Sequence, residues 1–108
     1  FSTTDASWLP QPEAWSRYAR DGQEGVDGST LEFYRAALAL RREHGLGDGG
    51  HEWVEAEGRD VVAYRNGDIT VVSNTGAEAV PLPSGEVLLA SGALGEGVLP
   101  GDTTVWLA

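Results

Sequence analysis

The sequence predicts a mainly β fold with one long α-helix. Three observations lead to this fold class: a helix-forming segment with a capping signal in the first half, a glycine-rich stretch after it, and short Val-, Trp- and Tyr-rich runs separated by turn residues in the second half. The hydrophobic period changes from about 3.6 residues to 2 across the glycine-rich stretch. We therefore expect two parts, residues 1–47 and residues 48–108.

Length and charge restrict the partners of the chain. With 108 residues it can bury one modest core, and its formal net charge of −10 opposes binding to phosphate backbones, so we expect no nucleic acid partner. No apolar run approaches the roughly 20 residues of a membrane-spanning helix, so we expect no membrane partner. The chain contains no cysteine, which fits a reducing cytoplasm, the location that we expect, while secretion of a longer parent stays open.

The first 28 residues are predicted to form a loop, because they combine prolines, glycines and large aromatic side chains without sustained periodicity. A short helix is possible at residues 12–18, since Pro12 suits a first helical turn and Glu13 suits the positive end of the helix dipole. The many aromatic residues indicate that the loop packs on a surface that is only partly present in this sequence.

The long helix is predicted at residues 29–44. Ser29 and Glu32 have the spacing of a capping box, in which each side chain satisfies a backbone N–H group at the helix start. His44 suits the negative end of the helix dipole, and Gly45 suits a left-handed cap.

Apolar residues follow two nearly opposite faces of this helix at about 100° per residue. The two stripes consist of Leu31, Tyr34 and Leu38, and of Phe33, Ala37, Leu40 and His44. Since a surface helix has one apolar face, we expect this helix to lie between the β domain and a second body outside this sequence. One stripe is then expected to be exposed here, or covered by the aromatic loop of residues 8–18. The chain is accordingly expected to be the end of a longer protein.

Six strands are predicted after a flexible connector at residues 45–50. They cover residues 51–57, 60–65, 68–75, 79–82, 86–91 and 103–107, and residues 92–102 form a longer loop. Asn66 and Gly67 predict a two-residue hairpin turn with positive φ at both positions. Short antiparallel strands at this spacing predict a sandwich or a curved sheet.

The titratable residues do not indicate a catalytic or metal site. Most carboxylates lie beside turn glycines or at outward strand positions, which is typical of solvated surface. His44 and His51 are the only histidines, too few for zinc in a chain without cysteine, so we expect no metal and no cofactor, and we interpret His44 as a helix-capping residue. The serines have no nucleophile-elbow context, and no catalytic residue is predicted.

The four tryptophans raise the question of sugar stacking. Trp53 and Trp106 lie in alternating strands and are predicted to belong to the core. Trp8 lies in a proline-flanked loop, where packing and sugar contact both remain open.

Two motifs in the first part of the chain resemble a known family. Trp-Leu-Pro occurs at residues 8–10, and a helical pattern begins with Ser-Thr-Leu-Glu-Phe-Tyr-Arg at residue 29 and ends with Leu-Arg-Arg-Glu-His at residue 44. Together with Phe-Ser-Thr-Thr at residues 1–4 and with Gln23, they resemble the end of α-glucosidases and oligo-1,6-glucosidases of the α-amylase clan, glycoside hydrolase family thirteen. Residues 71–74 and 86–91 are similar to the β domain of such enzymes. Ser7 departs from the pattern, where a proline usually precedes the tryptophan.

The resemblance implies that residues 29–44 are the last helix of a (β/α)8 barrel, followed by a small antiparallel β-sandwich domain. Such enzymes are retaining glycosidases, with an aspartate nucleophile and a glutamate acid/base about 5 Å apart. In the family these residues precede the position of Phe1, so the resemblance implies a non-catalytic fragment whose parent is the enzyme. Phe1 and Trp8 would line the outer substrate subsites.

The resemblance also implies the parent's substrate and the partners of this chain. We expect a parent that acts on maltose or malto-oligosaccharides and a supporting role for this chain beside the missing N-terminal barrel. Two alternatives remain open: a carbohydrate-binding module whose partners are α-glucans or malto-oligosaccharides, and the tail of a related trehalose synthase or sucrose-acting enzyme.

Overall fold

The computed structural model describes residues 12–56 and 58–108, and within them a few helices precede a small antiparallel β domain. The prediction of a β-rich fold is confirmed. The chain divides into two compact units, of which the first ends at Leu38 and the second is Ala39–Ala108. The division therefore lies inside the long helix.

Two short helices occupy part of the segment that was predicted to be a loop. A 3-10 helix covers Glu13–Tyr18, and the one-turn helix α1 covers Arg20–Gln23. Pro12 caps the first of them, and its carbonyl accepts the backbone N–H of Trp15 at 3.0 Å. The short helix predicted at residues 12–18 is thus confirmed, although its geometry is that of a 3-10 helix.

The long helix α2 covers Thr30–Glu43. At its start only half of the predicted capping box forms. The Ser29 hydroxyl accepts the backbone N–H of Glu32 at 3.3 Å, as predicted. The Glu32 carboxylate, however, accepts the backbone N–H of Gly25 at 3.0 Å, and the N–H of Ser29 bonds instead to the carbonyl of Val26.

Gln23 is the additional cap of α2. Its side-chain oxygen accepts the backbone N–H of Leu31 at 2.9 Å, and its backbone carbonyl accepts the hydroxyl of Ser29 at 2.9 Å. Its side-chain amide also donates to the carbonyl of Tyr18. One glutamine therefore connects the short helices to the start of α2 within the first unit.

The end of α2 has the predicted left-handed glycine cap. Gly45 has φ 63° and ψ 35°, a conformation that residues with a Cβ rarely adopt. The connector after it is not entirely irregular, because a 3-10 helix covers Leu46–Asp48.

The two apolar stripes of α2 differ in exposure. Tyr34 is 61% exposed and Leu38 is 53% exposed, whereas Leu31 is half-buried. All four members of the second stripe, Phe33, Ala37, Leu40 and His44, are half-buried. The expectation of an exposed apolar stripe is confirmed for Tyr34 and Leu38.

Seven strands are present in the described residues. Five form an antiparallel sheet in the order β1-β2-β3-β7-β5, and β4 pairs with β6 in a separate two-stranded sheet. Their bounds are His51–Val54 for β1, Val61–Asn66 for β2, Ile69–Asn74 for β3, Val80–Pro81 for β4, Val87–Ala90 for β5, Val98–Leu99 for β6 and Thr103–Leu107 for β7. All six predicted strands occur, most of them shorter than predicted. Strand β6 was missed and lies in the predicted loop of residues 92–102.

The turn between β2 and β3 differs from the prediction by one residue. Asn66 pairs with Ile69, so the two turn residues are Gly67 and Asp68. Gly67 has φ 59°, and the only non-glycine residue with positive φ in the described chain is Asp102. Asn66 is instead held by its side chain, whose amide donates to the carbonyl of Leu46 at 3.2 Å.

The main core cluster lies on one face of the five-stranded sheet, while Ile69 and Val71 are buried on the other face. It contains the buried residues Ala63, Val72, Leu99, Val105 and Leu107. Leu99 belongs to β6 and is fully buried, so the two-stranded sheet covers this face. Each of the valines and leucines in this cluster contributes about 1.5–3 kcal/mol when fully buried.

A row of large side chains crosses the opposite face. Register places Trp53 opposite Tyr64, Tyr64 opposite Val71, and Val71 opposite Trp106. Val71 is buried and Trp106 is half-buried, but Trp53 is 68% exposed. The prediction that Trp53 belongs to the core is therefore wrong. The reason is its position on β1, an edge strand with a neighbour on one side only.

Candidate functional site

Residues 51–108, which hold all the described strands, are called the β unit, and its most distinctive surface is an aromatic cluster of His51, Trp53 and Tyr64 at the sheet edge. The ring of Trp53 stands nearly perpendicular to both neighbours, with interplanar angles of 89° to His51 and 78° to Tyr64. Its centroid lies 4.9 Å from that of His51 and 6.1 Å from that of Tyr64. The His51 and Tyr64 rings are tilted by 33° at 5.2 Å. These are attractive aromatic geometries.

Strand pairing brings the three rings together. His51 and Trp53 are two residues apart on β1, so they share one face of the sheet. Tyr64 is directly opposite Trp53 on β2. Cross-strand aromatic pairs of this kind each contribute about 0.2–1 kcal/mol to sheet stability.

Polar side chains alternate with the cluster along β1 and β2, so they project from the opposite face of the sheet. Glu52 pairs with Arg65 across β1 and β2. Both residues line a shallow depression of about 260 Å³ together with Gly50, His51 and Gly67. His51 therefore belongs both to the aromatic cluster and to the depression. The cluster itself offers a flat apolar face for stacking beside the ring nitrogens of His51 and the hydroxyl of Tyr64, which can donate and accept hydrogen bonds.

A second polar contact lies at the end of helix α2. Nδ1 of His44 is 3.1 Å from each carboxylate oxygen of Asp68. The hydrogen bond from His44 holds the pKa of Asp68 below its ordinary value of 3.8. His44 thus joins the helix end to the turn between β2 and β3, which adds a tertiary contact to the predicted capping role.

An apolar groove of about 470 Å³ opens on the core face of the sheet. Aliphatic side chains of β1, β2, β3 and the β4 segment dominate its lining, and Glu55, Thr70 and Ser84 are the polar residues there. The groove continues the hydrophobic core, since Ala63 and Val72 belong to both. It contains a single carboxylate and no imidazole among its lining residues, so it does not present an acid/base pair.

The sequence-predicted site residues, Phe1 and Trp8, lie outside the described residues. Sequence reasoning considered His51 only as a metal ligand and missed the cluster. The i, i+2 spacing of His51 and Trp53 in a predicted strand is the signal that places both rings on one face. Within the described ranges, no group of three or more metal-ligating side chains could hold a metal ion.

Comparison with known proteins does not assign a family. No family model matches the chain, and no curated protein matches it. None of the helices in residues 12–56 and 58–108 has the length and apolar character needed to cross a bilayer.

Proposed function

We propose that this chain is the non-catalytic carboxyl-terminal part of a retaining α-glucosidase of the α-amylase clan, whose parent acts on maltose or malto-oligosaccharides. In this proposal helix α2 is the last helix of a (β/α)8 barrel, and the β unit is the small sandwich domain that follows it. The function of the chain is to complete and support that barrel. Phe1 and Trp8 then contribute to the outer substrate subsites of the parent.

The observation that carries the proposal is the exposed stripe of helix α2. Tyr34 and Leu38 are one helical turn apart and both more than half exposed, on a helix that also has a second apolar stripe. Burying one such side chain stabilises a protein by about 1.5–3 kcal/mol. A helix with two apolar faces is stabilised most when both faces are covered, and a neighbouring barrel helix provides such a cover.

The sequence motifs supply the identity of that neighbour. The Trp-Leu-Pro loop at residues 8–10 and the pattern of residues 29–44 resemble the corresponding segments of α-glucosidases. Gln23, which belongs to the same resemblance, caps α2 through Leu31. Gln23 therefore has a structural role at the start of α2 in this chain, which supports the proposal.

Complementation tests this proposal. An α-glucosidase barrel truncated before its last helix is coexpressed with the chain, and maltose hydrolysis is measured. We expect the chain to restore soluble, active enzyme, and we expect a Tyr34→Ser, Leu38→Ser double variant to fail. The matched control is Ala36→Ser with Ala39→Ser, because both alanines are exposed on α2 outside the two stripes. Equal activity of the two double variants would contradict the proposal.

A further inference from the structure

We propose that Trp53, positioned by His51 and Tyr64, forms a binding site for a neutral pyranose unit of an oligosaccharide. The site lies entirely on the β unit and uses no residue of helix α2. It therefore stands independently of the proposed origin of the chain.

The indole of Trp53 packs against two neighbouring rings, which favour the orientation seen here. His51 contacts it from the same strand and Tyr64 from the neighbouring strand, both at nearly perpendicular ring planes. A ring that is already oriented loses little side-chain entropy when a ligand binds, and preorganisation of this kind increases affinity.

The indole is also accessible. Trp53 is 68% exposed, although tryptophan side chains are on average highly buried. Strand β1 is the edge of the sheet, so an extended ligand can lie across the ring and continue past the edge. Val62, on the same face of β2, is exposed as well and extends the apolar surface beside Tyr64.

The chemistry of the surroundings selects the ligand class. A flat indole face matches the C–H face of a gluco-configured pyranose, whose equatorial hydroxyls point outward around the ring. Those hydroxyls can bond to the ring nitrogens of His51 and to the hydroxyl of Tyr64, which lie on the same face of the sheet as Trp53. An anionic ligand is disfavoured by the net charge of −10.

A cationic ligand such as a quaternary ammonium fits the cluster less well. Such cations are bound by several aromatic faces that converge on one point. Here the centroids of the His51 and Tyr64 rings are only 5.2 Å apart, with planes inclined by 33°, so a quaternary ammonium does not fit between the two rings. The indole of Trp53 is the one broad platform that the cluster presents.

Titration of the 15N-labelled chain tests the site. The indole Nε1–H signal of Trp53, assigned with Trp53→Phe, is followed during addition of maltoheptaose and, separately, cellohexaose up to about 10 mM. We expect saturable shifts at Trp53, His51 and Tyr64 with at least one of the two sugars. Absence of saturable shifts with both, or shifts with tetramethylammonium but with neither sugar, would overturn the proposal.

Variants separate stacking from general surface effects. Trp53→Ala is expected to weaken sugar binding at least about tenfold, which corresponds to loss of one aromatic stacking contact and its buried area. Val87→Ala is the control, because Val87 is 39% exposed on the opposite edge strand β5. This variant should bind the sugar with the same affinity as the unmodified chain. Retained affinity in Trp53→Ala, with a preserved amide spectrum, would contradict the assignment of the platform.

Discussion

Replacement of Asn74 by alanine should destabilise the β unit more than the same replacement at any other residue with a side-chain amide. Asn74 is only 2% exposed at the end of β3. Its amide donates to the carbonyls of Glu78 at 2.8 Å and Leu99 at 3.1 Å, and its side-chain oxygen accepts the backbone N–H of Gly76 at 3.0 Å. One side chain thus fixes the loop after β3 and joins it to β6.

The magnitude follows from these three contacts. The bond to Leu99 is buried, so Asn74→Ala leaves a buried carbonyl without this donor at a cost of about 1–3 kcal/mol. The two half-buried bonds contribute about 0.5–1.5 kcal/mol each. We expect a total loss of about 3–4 kcal/mol in the free energy of unfolding, a large part of the stability of a small domain.

Urea denaturation followed by circular dichroism measures this loss. The transition midpoint should fall by roughly 2 M urea, because the free energy of unfolding of small proteins decreases by about 1–3 kcal/mol for each molar increase in urea. Ser73→Ala is the matched control: its hydroxyl bonds to that of Thr104 at 2.8 Å in a half-buried setting, so we expect a loss of about 1 kcal/mol or less. Equal losses in Asn74→Ala and Ser73→Ala would refute the reasoning.

Asn74→Asp gives a second test, in which the direction of the pH dependence of stability is predicted. The introduced carboxylate lies where the amide now faces two carbonyls, which disfavours its charged form and raises its pKa in the folded state. The variant should therefore become more stable as the pH falls towards that raised pKa. A variant whose stability decreases monotonically with acidification relative to the unmodified chain would show that the two carbonyls do not act on this position.

Two further predictions concern the helix caps. Because the pKa of Asp68 is lowered in the folded state, the ionised carboxylate stabilises the fold above about pH 4, and this contribution is lost as the pH falls through the lowered pKa. Urea titrations at several acidic pH values should therefore show that Asp68→Asn loses less stability on acidification than the unmodified chain. An unchanged pH profile in Asp68→Asn would exclude a role for the contact with His44. Gln23→Ala should speed hydrogen exchange of the Leu31 backbone amide and cost about 1 kcal/mol of local helix stability. Gln23→Glu keeps the acceptor oxygen, so the Leu31 amide should stay protected. Equal exchange rates in the two variants would argue against the cap.

The strand positions were accessible from the sequence because local patterns determine them. Runs rich in Val, Trp and Tyr, separated by turn residues, marked every strand of the five-stranded sheet, and the cap of helix α2 was visible at Ser29 and Gly45. These signals lie within a few residues of the structure they specify.

The features that sequence reasoning missed depend on distant partners. Strand β6 has two residues and exists through its pairing with β4, so it has no periodicity of its own. The turn after β2 shifts by one residue, and the side chain of Asn66 is bound to the carbonyl of Leu46, twenty positions earlier. The exposure of Trp53 depends on the order of strands in the sheet, which alternation of side chains along one strand does not specify.

Glucose release from maltose tests the central claim most directly, because a supporting domain and a catalytic domain differ in this activity. The purified chain alone should release glucose no faster than buffer, and the same chain added to an α-glucosidase barrel truncated before its last helix should restore hydrolysis. Glucose release by the chain alone, or a complete failure to restore activity in the presence of folded barrel, would contradict the account.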